Sequence, residues 1–296
     1  MRTRKPQLIA WMILLSLPAL GQRINVERDA RFGSKINVPV KIEVETLANK
    51  YIFYAVNSSY YPYTVHLTIN EIQNLTPERV DAQYKVGPGR TRLIELKLQD
   101  LARQTRYDYN YTYAIGLKAR KIDPDFPYLI PVKKPFSYHY KNEAEQTVFQ
   151  NHFSLSTGDT VYAMRMGTVV TTPDMFSGKE RISDRESLEI LHNDQTFLVY
   201  ENIDPEQVFV KAGNKVLPGT PIGLLRDPAI LEVTLYSSTG DGFVNASDIK
   251  YYTGKDKVVE FSNELHEVEV RYPEEIITAE FSKRDLKKYQ KGQLVP

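Results

Sequence analysis

The chain has 296 residues, with 38 Lys and Arg against 37 Asp and Glu and a formal net charge of +1 at pH 7. A balance this close to neutrality gives no electrostatic reason to expect nucleic acid or an anionic membrane surface as a partner. The absence of cysteine excludes a disulfide framework and a lipid-attachment cysteine.

Residues 1–21 have the pattern of a secretory signal peptide. Basic residues within the first five positions precede the apolar run Leu8–Leu20, and small residues end at Gly21. We therefore expect an exported protein, periplasmic or secreted, whose mature chain begins at Gln22. Cleavage removes three positive charges, which takes the net charge from +1 to −2. No later apolar run is long enough to span a bilayer, so no transmembrane segment is expected after cleavage.

Residues 22–120 are predicted to form a β-sandwich domain. After a polar arm, Gln22–Val38, polar and apolar residues alternate, with turns such as Gly87-Pro88-Gly89 between the runs. This spacing favours an antiparallel sandwich of immunoglobulin-like type. The tyrosines that alternate along it are interpreted as half-buried sheet faces, with a sugar- or peptide-binding platform as the alternative. The alternating positions include Val40, Ile42 and Val44; Ile52, Tyr54 and Val56; Tyr63, Val65, Leu67 and Ile69; and Tyr107, Tyr109, Tyr111 and Tyr113.

The remainder of the chain is divided by a proline-containing segment. Residues 121–134 contain three prolines and are predicted to form a linker, which is followed by a second domain over residues 135–255. Residues 256–296 are expected to form a C-terminal hairpin and tail. Within them, Lys257–Arg271 has the pattern of a charged hairpin, and Ser282–Lys291 has that of a short helix with a serine N-cap.

The second domain is organised around Gly158–Gly223, where short apolar runs are punctuated by Gly, Pro and Asn-Asp. This pattern is typical of a compact all-β domain. Leu188–Leu191 leads into a polar turn, after which Phe197–Tyr200 returns as a second strand. A β-hairpin is therefore predicted, and His192 at its tip is expected to be solvated.

The order of these turns resembles the catalytic domain of the lysostaphin-type zinc metallopeptidases, peptidoglycan endopeptidases. The matching positions are Gly158, Val161, Tyr162, Ala163, Gly167, Val169, His192, Asn193, Tyr200, Val210, Lys211, Gly213, Val216, Gly219, Ile222 and Gly223. The resemblance implies an antiparallel β domain with a duplicated hybrid motif. The arrangement after a sandwich domain is similar to that of exported two-domain members from Bacteroidota.

The resemblance also places the family's site on five positions of this chain. Val148 and His152 lie where the family has its His and Asp ligands, and Asn202 lies where it has a catalytic His. Ile230 and Glu232 occupy the positions of a further catalytic His and of the third ligand. None of the family's ligand or catalytic histidines is retained, so the chain is expected to be a degenerate member.

These residues predict a degenerate site with no catalytic residue and no bound metal. A catalytic zinc takes three protein donors, and Val148 and Ile230 have no donor atom. The amide of Asn202 does not titrate near neutral pH and is no general base. Only His152 and Glu232 remain as donors, so no cofactor is expected where active members of the family use zinc.

Two functions are compatible with the sequence. The first is an exported, catalytically inactive peptidase-like protein that binds peptidoglycan peptides or regulates a cell-wall hydrolase. The second is an active zinc metalloendopeptidase that cleaves peptidoglycan cross-bridges with relocated ligands, for which His139 is the candidate. Because the ligand positions are lost and the groove wall is shortened to Arg226–Ala229, we expect the first.

Overall fold

The computed structural model describes residues 23–24, 39–118, 121–134, 136–142, 149–173, 187–240, 244–253, 257–260 and 270–296. Within these ranges the regular structure consists of strands and two short helices, so the predicted all-β class is confirmed. The predicted signal peptide lies outside the described residues. The described part of the chain has no helix with the length and hydropathy of a membrane span.

The N-terminal unit is built from two four-stranded sheets. One has the strand order β1-β8-β4-β6 and the other the order β2-β3-β7-β5. Only β1, which runs parallel to β8, departs from antiparallel pairing among the described strands of this unit. The strands are β1 (Arg23–Ile24), β2 (Val40–Leu47), β3 (Lys50–Asn57), β4 (Tyr63–Gln73), β5 (Leu75–Thr76), β6 (Val80–Val86), β7 (Gly89–Leu98) and β8 (Arg106–Ile115).

The two sheets enclose one core because every second residue of their strands is apolar. On β4 the buried positions are Tyr63, Val65, Leu67 and Ile69. Phe53 from the other sheet belongs to the same cluster and lies edge-on to Tyr107 and Tyr109. The tyrosines of β8 therefore pack inward as a core face, as their alternation indicates. The immunoglobulin-like type of this unit stays a prediction.

The C-terminal unit contains one large antiparallel sheet of order β16-β12-β13-β14-β18-β10-β9, with β19 paired to β18. Smaller sheets are formed by β11-β17-β15 and by β20-β21. The strands are β9 (Ser137–Asn142), β10 (Phe149–Ser154), β11 (Thr160–Tyr162), β12 (Gly167–Thr171), β13 (Leu188–Leu191), β14 (Thr196–Glu201), β15 (Ile203–Val208), β16 (Lys215–Val216), β17 (Pro221–Leu225), β18 (Ile230–Ser238), β19 (Val244–Ser247), β20 (Lys250–Thr253) and β21 (Lys257–Glu260).

The predicted hairpin of the C-terminal unit is formed by β13 and β14, with Leu188 opposite Tyr200 and Leu191 opposite Phe197. Tyr200 is fully buried, and its hydroxyl accepts a hydrogen bond of 3.0 Å from the backbone N–H of Met164. One face of the large sheet thus forms a continuous hydrophobic core. The opposite face carries the candidate site.

The predicted linker 121–134 contributes to the second core instead of standing free. Tyr128 forms a β-bridge with Tyr251, and Leu129 donates a backbone hydrogen bond of 3.0 Å to Met164. Although the prolines prevent a regular strand, the apolar residues between them bury their side chains. These buried residues are Tyr128, Leu129, Ile130 and Val132.

The C-terminal segment contains two helices, α1 (Glu274–Ile277) and α2 (Lys283–Gln290). Helix α2 agrees with the prediction, since Ser282 accepts a hydrogen bond of 3.1 Å from the backbone N–H of Asp285. Strand β21 pairs with β20, and the predicted hairpin Lys257–Arg271 stays a prediction, because residues 261–269 lie outside the described ranges.

The two units are joined by contacts along β12 and β13. The buried Tyr61 hydroxyl donates a hydrogen bond to the buried carboxylate of Glu189. Val170 belongs to the hydrophobic cluster of the N-terminal unit, and Leu191 packs against it. The N-terminal unit therefore covers part of the face on which Glu189 lies.

Candidate functional site

A row of polar side chains crosses the large sheet at the predicted site. His152 on β10 pairs with Glu232 on β18, and Glu232 pairs with Glu201 on β14. Directly paired residues of antiparallel strands project to the same face, with Cβ atoms about 5 Å apart. His152, Glu232 and Glu201 therefore lie side by side on the face turned away from the hydrophobic core.

The same row extends by register to a fourth strand. The backbone of His139 on β9 pairs with that of His152. Because residues two apart on a strand share a face, Ile230 and Thr234 flank Glu232 on β18. This part of the sheet therefore carries the imidazole of His152 and the carboxyl groups of Glu232 and Glu201. The apolar Ile230 and the hydroxyl of Thr234 lie beside them.

Glu201 and Glu232 carry neighbouring carboxyl groups on paired strands. A hydrogen bond between two carboxyl groups requires one proton. Loss of hydration, the hydrogen bond to Glu232 and the negative charges of Glu232 and Glu189 raise the pKa of Glu201 to about 7. The carboxyl group of Glu201 therefore takes up or releases its proton near neutral pH.

Asn202 has a structural task in the turn between β14 and β15. Its φ of 68° lies in the left-handed region, which Asn adopts more readily than most residues. Its Nδ2 donates a hydrogen bond of 2.7 Å to the carbonyl of Ile230, and its own carbonyl accepts one of 3.0 Å from the backbone of Arg226. The side-chain amide thus fastens this turn to the start of β18.

His152 has an unused nitrogen. Its Nε2 is buried and has no hydrogen-bond partner among the described residues. Val148, the remaining predicted site position, lies outside those residues. The structure thus brings together the four predicted positions that it describes, namely His152, Asn202, Ile230 and Glu232.

The donors that the structure describes at this site do not fit the zinc site of the resembling family. His152, Glu232 and Glu201 lie in a line over three strands, with about 10 Å between the outer Cβ atoms. Zinc ligands surround one point at about 2 Å. No three His, Cys, Asp or Glu side chains within the described ranges are grouped in a way that could hold a metal ion.

Sequence reasoning missed Glu201 and Glu189. Glu201 stands next to Asn202, and strand alternation places it on the face opposite to buried Tyr200. The sequence does not show that β14 pairs with β18, because these strands are distant in the chain. Glu189 has its hydrogen-bond donor, Tyr61, in the other unit.

The expectation that His192 is solvated is wrong. Its side chain is only 1% exposed, and its Nδ1 donates a hydrogen bond of 2.9 Å to the carbonyl of Met166. Burial and the charge of Arg165 lower the pKa of His192 to about 3, so the imidazole is neutral. The hairpin tip folds inward because the buried Arg165 forms an ion pair of 2.9 Å with Asp194.

Comparison with known proteins gives distant structural matches. No protein-family model matches the chain, and no curated protein matches it. The M23 metalloprotease pseudoalterin from the deep sea is 15% identical, over 48% of this chain and 95% of that chain, with a TM-score of 0.30. Csd3 from Helicobacter pylori is 11% identical, over 86% of this chain and 76% of that chain, with a TM-score of 0.28.

A zinc-containing peptidase from Vibrio cholerae also matches. It is 14% identical, over 72% of this chain and 77% of that chain, with a TM-score of 0.25. M23 is the lysostaphin-type family, which is the family that the sequence motifs resemble.

Proposed function

We propose that the protein is an exported, catalytically inactive peptidase-like protein of lysostaphin type that binds peptidoglycan peptides or regulates a cell-wall hydrolase. The observation that carries this proposal is the row of His152, Glu232 and Glu201. At the position that the resemblance assigns to the third metal ligand, this chain has Glu232, and the neighbouring Glu201 has a pKa raised to about 7 by loss of hydration and by Glu232. Export rests on the signal-peptide pattern of residues 1–21.

The chemistry of the row favours binding over hydrolysis. A zinc peptidase polarises the scissile carbonyl with the positive charge of its metal. Glu201 and Glu232 present negative charge instead, and Asn202 has its amide bonded to the backbone of Ile230. Affinity for a peptide must then come from main-chain hydrogen bonds, from side-chain pockets and from attraction of amino groups to the carboxyl pair.

The test is a pull-down of the purified protein on peptidoglycan, with and without a strong chelator. We expect binding that is unchanged by the chelator, releases no peptide fragments and is weakened by Glu232→Trp, which fills the row with an indole ring. Glu206→Trp, at an exposed position on β15, is the matched control and should bind as the unmodified protein does. Chelator-sensitive binding or fragment release would show that the enzyme hypothesis is the correct one.

The alternative function, an active zinc endopeptidase with relocated ligands, has one observation in its favour. His139 pairs in register with His152, which pairs with Glu232. The measurement that separates the two functions is zinc content after dialysis. Stoichiometric zinc that is lost in His139→Ala but kept in His66→Ala, a histidine of the N-terminal unit, would support the alternative.

A further inference from the structure

Helix α2 carries a concentration of positive charge on one side. Five cationic residues lie between positions 283 and 291, at 3.6 residues per turn on one arc of about 140°. Asp285, Leu286 and Tyr289 fall on the remaining side. The five residues, which we call the cationic arc, are Lys283, Arg284, Lys287, Lys288 and Lys291.

The cationic arc has one acidic neighbour on its own helix, Asp285, whose pKa is lowered by its hydrogen bond with Ser282 and by the charge of Lys288. Its five side chains form no ion pair with any residue that the structure describes, whereas other surface cations do, such as Arg90 with Glu43 and Glu45. Although the net charge of the chain is close to zero, this helix therefore carries a local excess of positive charge. These side chains and that of Gln293 line a shallow depression of about 420 Å³.

The arc is held in place by contacts on the other side of the helix. Ser282 caps the N-terminus, and Tyr289 packs edge-on against Phe281 with ring centroids 5.5 Å apart. One residue earlier in the chain, Glu280 binds Arg165 through two hydrogen bonds of 2.7 and 3.0 Å. The cations are thus presented by an ordered element that is tied to the C-terminal unit.

We propose that the cationic arc docks the protein on an anionic phospholipid surface. Five charges on one side of a helix about 12 Å long match a plane of closely spaced phosphates, and each Lys or Arg near such a surface adds attraction. Four of the five are Lys, which binds phosphate as a point charge without the planar fork that reads bases. The aromatic ring of Tyr289 is packed on Phe281 and offers no stacking surface for a nucleic acid.

The proposal is independent of the peptide-binding function, because α2 and the polar row belong to different elements. Two apolar side chains of the same C-terminal segment, Leu286 and Val295, are 37% and 72% exposed. They allow shallow contact with the acyl boundary once the lysines are neutralised.

The experiment is co-sedimentation of the purified protein with vesicles of phosphatidylcholine, alone or mixed with phosphatidylglycerol. We expect binding to the mixed vesicles only, with a loss on raising the salt concentration, because the charges are exposed. The triple variant Lys283→Glu, Lys287→Glu, Lys291→Glu should bind at least about tenfold less. The triple variant Lys41→Glu, Lys85→Glu, Lys121→Glu makes the same change of net charge at exposed positions elsewhere and should bind normally.

A second variant tests whether a loss of binding results from unfolding of α2. Lys283→Gln, Lys287→Gln, Lys291→Gln removes the charges without reversing them and should weaken binding while circular dichroism stays unchanged. The proposal is overturned by equal binding to both kinds of vesicle, by full binding of either arc variant, or by an equal loss in the control. Preference for duplex DNA over mixed vesicles at equal phosphate concentration also overturns it.

Discussion

Glu201 and Glu232 face each other across β14 and β18 on the face of the large sheet opposite its core. Glu232 is the position that the sequence resemblance assigns to the family's third metal ligand. The charge state of the pair therefore decides what the site attracts. Below about pH 7 the carboxyl group of Glu201 holds a proton, and above it Glu201 adds a negative charge beside Glu232.

The pair predicts a pH dependence of stability. The pKa of Glu201 is raised from 4.5 to about 7, so the folded chain keeps a proton that the unfolded chain has released. The resulting contribution to the free energy of unfolding is complete below about pH 4.5 and is lost as the pH rises through about 7. Because Glu201 is exposed, solvent screening limits the contribution to roughly 1 kcal/mol.

Glu201→Gln should remove this pH dependence, as measured by urea unfolding between about pH 5 and pH 8. At the upper end of that range the variant should be the more stable protein. Glu78→Gln, at an exposed position without an ion pair among the described residues, is the control. A Glu201→Gln variant with the original pH slope contradicts the prediction.

Tyr61→Phe should weaken the contact between the two units. The change leaves the buried Glu189 carboxylate without its donor, which costs about 1–3 kcal/mol. Urea unfolding followed by tyrosine fluorescence is the measurement. Tyr60→Phe is the matched control, because Tyr60 is 41% exposed. Equal stability of the two variants would show that the hydroxyl contributes nothing to the contact.

Glu280→Gln should loosen the C-terminal segment. Arg165 is buried and keeps only Asp194 as a full counter-charge when Glu280 is neutralised. Losing a charge-assisted pair of this kind destabilises the docking by about 1–3 kcal/mol. Hydrogen exchange over residues 270–296 should become faster. The exposed Glu275→Gln is the control, and unchanged exchange in Glu280→Gln would contradict the assigned role.

A repair experiment tests the positions of the site. Val148→His, His152→Asp, Asn202→His, Ile230→His and Glu232→His together restore the family's residue types and should allow zinc to bind, as measured by metal content after dialysis. Activity is not expected, because the supporting hydrogen bonds of an active site are missing. In the control, Glu206→His replaces Glu232→His. Equal zinc in both variants would contradict the positional assignment.

Much of the fold follows from local alternation. The buried positions of β4 and the hairpin of β13 and β14 are readable from the sequence, because strand faces have a period of two and the hairpin turn is short. His192 departs from the pattern because the hairpin tip folds inward. The buried Arg165, 27 positions earlier in the chain, forms an ion pair with Asp194 at that tip.

Only part of the site could be predicted from the sequence. His152 and Glu232 are identified by counting from the motifs, but their direct pairing with each other and with Glu201 depends on strands that are distant in the chain. The segment 121–134 shows the same limit. Its prolines can be read from the sequence. The packing of Tyr128 cannot, because it depends on the β-bridge with Tyr251 on β20.

The bond between Arg165 and Glu280 has a consequence for how the protein is made. The two residues are 115 positions apart. As the chain emerges from a ribosome or a translocation pore, the guanidinium group lacks one of its two carboxylates until the C-terminal segment has appeared. The C-terminal unit therefore reaches its full stability only late in synthesis, and until then this part of the chain is easier to unfold.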